Sequence, residues 1–116
     1  MPHRIEKLLT DLRLACSEIE RFTQGKSIND YQKDRLLQLA LEREFEIIGE
    51  ALNRLQRIDE DRLDKLIPEY RRIIGFRNII AHGYDIIDDI TLWDLSQNHA
   101  KKLLSKIDNY LIELGE

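Results

Sequence analysis

The chain has a single cysteine, Cys16, among 116 residues. That excludes an internal disulfide and a cysteine-based zinc site. Two prolines and five glycines are too few for a sheet protein with many tight turns. No apolar run approaches the roughly 20 residues of a membrane-spanning helix. The opening residues, MPHRIEKLLTDL, lack the apolar stretch of a secretory signal. These absences lead to the expectation of one cytoplasmic domain with no membrane partner. What is present is 42% hydrophobic and 34% charged residues, the balance of a folded, well-hydrated globule rather than a disordered chain.

The net charge of -4 argues against a protein that depends on non-specific DNA binding. The charge is uneven. Residues 51–84 carry seven Lys/Arg against five Asp/Glu, and residues 85–116 carry three against seven. The more basic third is compatible with a small phosphate-binding site on an acidic body.

Helical periodicity runs through the chain. Ile5, Leu8, Leu9, Leu12, Ala15, Ile19 and Phe22 form one stripe on a first helix from about Pro2 to Gln24, ended by Gly25. Ser27 and Asp30 read as the N-terminal cap of a longer helix, from about Asp30 to Gln56. Its apolar surface (Leu36, Leu37, Leu39, Ala40, Leu41, Phe45, Ile47, Ile48, Ala51, Leu52 and Leu55) is wide enough for more than one neighbour. Gly49 weakens that helix by about 1 kcal/mol relative to alanine, and a close helix crossing would explain it. Ile58 to Ile67 reads as a polar connection with room for one helical turn. Pro68 then opens a helix that ends near His82, because Gly83 is a natural C-cap residue. Tyr84 to Asp88 reads as a loop. Asp88, Asp89 and Thr91 offer caps for a last helix to about Leu114. Its core stripe is Ala100, Leu103, Leu104, Ile107, Tyr110, Leu111 and Leu114. The expected fold is an all-α antiparallel bundle of four or five helices.

The stretch IIGFRNIIAHGYDII, residues 73–87, combines this periodicity with chemistry. Asn78 and His82 are four apart and share a helix face. Arg77 and His82 are five apart, about 140° around an ideal helix, yet a long arginine reaches round. A guanidinium forks onto phosphate oxygens and stays charged. An imidazole exchanges a proton near neutrality, and the helix C-terminus should raise the pKa of His82. Spacing alone also fits a plain reading: a histidine capping a helix and a tyrosine packed beyond it.

The segment GFRNIIAHGYD resembles the signature of the HEPN superfamily, and of HepT-like toxins in particular: Arg, four residues, His, one residue, Tyr. LEREFEIIGEAL, residues 41–52, resembles the second helix of the same family, and the order of elements agrees along nearly the whole chain. The resemblance implies a metal-independent endoribonuclease with no cofactor, in which Arg77 and His82 are catalytic and Asn78 is the polar residue beside the arginine. It implies a homodimer whose two motifs share one cleft. It also implies that Tyr84 is adenylylated by an MntA-like nucleotidyltransferase antitoxin. Arg71 and Arg72 read either as an extension of a track for the RNA backbone or as solvated surface residues. The alternatives are a non-catalytic partner of a two-component nucleotidyltransferase and a plain helical adaptor.

The remaining polar residues have simpler readings. Glu42, Glu46 and Glu50 line one helical face, read as a solvated or ion-paired stripe rather than a metal site. Cys16 reads as a small core or interface hydrophobe, Trp93 as a packing residue or a dimer contact, and His3 and His99 as surface residues.

Overall fold

In the computed structural model the chain runs α1 (Pro2–Thr23), α2 (Ile28–Lys33), α3 (Arg35–Leu66), α4 (Tyr70–His82), α5 (Asp89–Asp94), a π-helical turn (Leu95–His99) and α6 (Ala100–Gly115). The structure describes residues 2–82 and 89–115, with side chains for 4–78 and 89–115. Every regular element among the described residues is helical, as the periodicity required.

The α1 stripe forms as read: Leu9, Leu12, Cys16 and Ile19 are fully buried. The helix stops where Gly25 takes φ +72°, a conformation that L side chains rarely adopt. Beyond it, Ser27 and Asp30 form a reciprocal capping box. Ser27 N–H donates to Asp30 Oδ2 at 2.8 Å and Asp30 N–H to Ser27 Oγ at 3.2 Å.

That cap serves a helix of six residues, not the long one expected from Asp30. The chain leaves helical geometry at Asp34, whose carboxylate accepts from Leu37 N–H at 3.1 Å and starts α3 afresh. The break turns Tyr31 into the interior, where its ring lies 5.5 Å from that of Trp93. Trp93 thus has the packing role read for it.

The expected polar connection at 58–67 is corrected more sharply. α3 continues through it to Leu66, kinked at Asp59 (φ -152°, ψ 46°). Leu63 and Ile67 are fully buried and carry the apolar stripe onward from Leu55. Tyr110 of α6 donates its hydroxyl to Asp59 at the kink. Pro68 lies in the turn before α4 rather than at its first position, and Tyr70 N–H donates to Ile67 O.

The single last helix is also interrupted. Ala100 N–H reaches back to Leu95 O, the five-residue step of a π turn. Buried Ser96 donates from Oγ to Trp93 O at 2.6 Å. Ala100, Leu103, Ile107 and Tyr110 are buried as the α6 stripe predicts.

Helix α3 is central, packed extensively on both α1 and α4, while α6 closes against α1. Glu44 sits by Glu18, and residues 47–54 by Leu8 and Asp11, so α1 and α3 are antiparallel. Asp64 pairs with Arg71 and Gly49 meets Arg77, so α3 and α4 are antiparallel as well. Of the wide α3 surface, Leu36 and Leu39 still face solvent, 78% and 47% exposed.

Candidate active site

Arg77 is placed by a close approach between helices. A Cβ on Gly49 would lie 2.2 Å from Arg77 Cβ and 2.5 Å from its Cγ. The arginine stem therefore rests on the α3 backbone, and the close crossing inferred from Gly49 is present. Beyond the stem, the guanidinium turns over the outer face of α3. Nη2 donates to Glu50 Oε2 at 3.1 Å and Nη1 to Asn78 Oδ1 at 3.0 Å. Nε is buried and has no hydrogen-bond partner among the described residues. The side chain is 31% exposed, so the charged end is aimed yet open to solvent.

It opens into a cleft of about 220 Å³ lined by Leu8 and Asp11 of α1, Arg43, Glu46, Ile47, Glu50, Ala51 and Arg54 of α3, and Arg77. Three guanidiniums face three carboxylates there. Glu50 is shared: its Oε1 accepts from Arg54 Nε, also at 3.1 Å. A larger cleft, about 510 Å³, lies on the other flank of α1, between its C-terminal turn and the π turn. Of the described motif residues, neither Arg77 nor Asn78 lines it, whereas Arg77 lines the smaller cleft.

The structure brings Arg77 and Asn78 together and adds Glu50, 27 residues away in sequence. The sequence leaves Glu50 in a solvated or ion-paired stripe and does not identify Arg77 as its partner. Only the adjacency of Gly49, the residue marking the crossing, could have singled it out. The backbone of His82 completes the last turn of α4, where the motif helix was expected to end. The His82 side chain, Gly83, Tyr84 and the rest of 83–88 lie outside the described residues, as does the His3 side chain. Arg71 stacks over the Tyr70 ring and pairs with Asp64 at 3.6 Å. Neither Arg71 nor Arg72 lines the cleft. His99 lies 3.7 Å from Asp94 on the π turn. Among the described residues no cluster of His, Cys, Asp and Glu is arranged to hold a metal ion.

A second acidic feature escaped the sequence altogether. Glu44 is only 5% exposed, in the α1–α3 interface. Burial pushes its pKa up to about 7, helped by a hydrogen bond with Glu18 and by that residue's charge. Neighbouring Cys16, the buried hydrophobe it was read to be, is pushed up to about 12 by burial and then by Glu20 and Glu44. Its thiol is inert at neutral pH.

The model of the family described as "Ribonuclease HepT-like" matches residues 12–110. The chain belongs to this family. The match spans both α3, which holds the arginine, and α4, which carries the motif. A protein of Methanocaldococcus jannaschii, provisionally named an RNase, is 27% identical over 90% of this chain and 94% of its own length. A protein of Thermococcus cleftensis, provisionally named ribonuclease HepT, is 32% identical over 86% of this chain and 89% of its own. A third, from Caldanaerobacter subterraneus and provisionally named an RNase, is 29% identical over 83% and 84%. No solved structure matches the chain significantly.

Proposed function

We propose that this HepT-like protein is an endoribonuclease that cleaves RNA phosphodiesters without a metal ion, using Arg77 and His82. The observation that carries the reading is the Arg77 guanidinium, anchored by Glu50 and Asn78 at the mouth of an open cleft. It sits within two turns of the helix end that bears His82. Such a group is pre-aimed at charge that builds on phosphate oxygens, which is where an electrostatic contribution to rate is largest.

In the proposed reaction the RNA 2′-oxygen attacks phosphorus, the bond to the 5′-oxygen breaks, and a cyclic phosphate remains. His82 supplies the proton to the leaving 5′-oxygen. Arg77 neutralises the phosphoryl oxygens, and Asn78 keeps its fork in plane. A homodimer would put a second His82 within reach, one acting as base and one as acid. In the cytoplasm the protein would serve as the toxin of a toxin–antitoxin pair. An MntA-like nucleotidyltransferase would silence it by transferring AMP from ATP to the Tyr84 hydroxyl, with pyrophosphate leaving. The added phosphate would compete for Arg77.

The decisive assay is RNA incubated with the purified, unmodified protein in EDTA. Products ending in cyclic phosphate, lost in Arg77→Ala and His82→Ala, support the proposal. Intact RNA after incubation with folded dimer refutes it. Intact mass after exposure to an active cognate nucleotidyltransferase and ATP tests the regulation, which requires AMP additions that Tyr84→Phe abolishes.

A further inference from the structure

Glu50 is held by two arginines, one through each carboxylate oxygen. Arg77 Nη2 lies 3.1 Å from Oε2, and Arg54 Nε lies 3.1 Å from Oε1. One planar anion therefore sits between two guanidiniums that come from different helices and meet in the same cleft. A phosphodiester presents two non-bridging oxygens with nearly the spacing of a carboxylate's pair, and guanidinium is the side chain best matched to either. Neither arginine is sealed in: their side chains are 61% and 31% exposed, and Glu50 between them is 41% exposed. A carboxylate with that much solvent access and its own rotamers can swing aside.

We infer that Arg54 and Arg77 form a two-guanidinium clamp for one backbone phosphate of RNA, and that Glu50 is the resident counter-ion which that phosphate displaces. The inference rests on the ribonuclease reading for the identity of the ligand. It adds Arg54, a residue outside the motif, as a phosphate-binding group. It also gives Glu50 two effects. The carboxylate aims Arg77 in the empty site, and it weakens RNA binding because its charge must be expelled. Phosphate contacts of this kind set register and affinity without reading sequence. The cleft lining agrees, since among the described residues it contains no aromatic ring on which a base could stack.

A simpler account exists for Arg54 alone. It lies four residues after Glu50 on α3, and such pairs are common helix-surface contacts worth a few tenths of a kcal/mol. The two accounts differ in what RNA binding does.

The test uses the full-length protein and a fluorescent, single-stranded 2′-O-methyl RNA oligonucleotide, which lacks the nucleophile and cannot be cleaved. Anisotropy titrations across a range of salt give affinity and its salt slope. The clamp predicts that Arg54→Ala weakens binding about tenfold and lowers the slope by about one. Lys102→Ala removes the same charge from exposed α6 surface outside the cleft, and should change affinity less than twofold. Glu50→Gln should tighten binding several-fold. Equal effects of Arg54→Ala and Lys102→Ala, or unchanged binding by Arg54→Ala, would overturn the clamp. So would weaker binding by Glu50→Gln. If the native protein cleaves ordinary RNA while Arg54→Ala binds as tightly as native, the clamp fails and the ribonuclease reading stands. If Arg54 and Arg77 are both needed for binding but ordinary RNA stays intact, the clamp stands and the ribonuclease reading fails. Absence of any binding removes the clamp, and with intact ordinary RNA it removes both.

Discussion

Gly49 and Arg77 touch because one of them has no side chain. The space a Cβ would need at Gly49 is filled by the Cβ and Cγ of Arg77, so the backbone of α3 is the floor on which the arginine lies. Gly49→Ala must push the two helices apart, since the clashing atoms are at the base of the arginine and not at its flexible end. Overpacking of this kind costs about 1 to 3 kcal/mol, offset in part by about 1 kcal/mol of helix propensity. The expected net loss is about 0 to 2 kcal/mol in urea denaturation, with RNA cleavage reduced far more than stability, because Glu50 and Arg77 lose their register.

Arg77→Lys keeps the charge and loses the fork. An ammonium at that position cannot hold the geometry with Glu50 and Asn78 while presenting two parallel donors to a phosphate. Cleavage should fall about 100-fold in kcat/KM, a change of about 2.7 kcal/mol. The urea midpoint should stay close to native. Native activity in the lysine variant would show that only charge matters at this position.

Buried Glu44, beside the partly exposed Glu18, makes stability depend on pH in a defined direction. The folded-state pKa of Glu44, about 7, lies above its ordinary value of 4.5, so folding favours the protonated acid. The stability from that proton is complete below about pH 4.5 and falls as the pH rises through 7. Glu44→Gln is neutral throughout. Its stability relative to native should therefore rise from pH 5 to pH 8, as measured by urea midpoints. A difference that does not vary with pH would mean that Glu44 is ionised in the fold.

Two local devices can be weighed separately. Ser27→Ala removes one half of the capping box at α2 and should destabilise by about 1 kcal/mol. Tyr110→Phe deprives Asp59 of its donor at the α3 kink and should cost about 1 to 2 kcal/mol. The sites lie on different elements, so thermal or urea unfolding of the double variant should show nearly additive losses.

Much of the fold is legible along the chain because helical rows are local. The α1 stripe, the buried face of α6, the end of α4 at His82 and the cap at Ser27 each depend on residues within a turn or two of one another. Gly49 was informative for the same reason: a weak helix former inside a strong helix asks for a close neighbour. The misplacements have physical causes. Between Ile58 and Leu63 the run is wholly polar, so the continuation of α3 reads as a connection along the chain, and the burial of Leu63 and Ile67 in the core decides it. The breaks at Asp34 and at the π turn keep hydrophobic residues in register with helices elsewhere in sequence, and no local pattern reports that.

The sequence by itself determined an all-helical chain, its main apolar faces and a motif with the side chains of phosphate chemistry. These follow from residue type and a period of 3.6. Tertiary structure decided which carboxylate meets Arg77, why Arg54 stands beside it, and that Glu44 is buried against Glu18. Each of those depends on the rotation and crossing of helices whose contacting residues lie far apart in sequence, where a shift of one residue would turn the same side chains about 100° away.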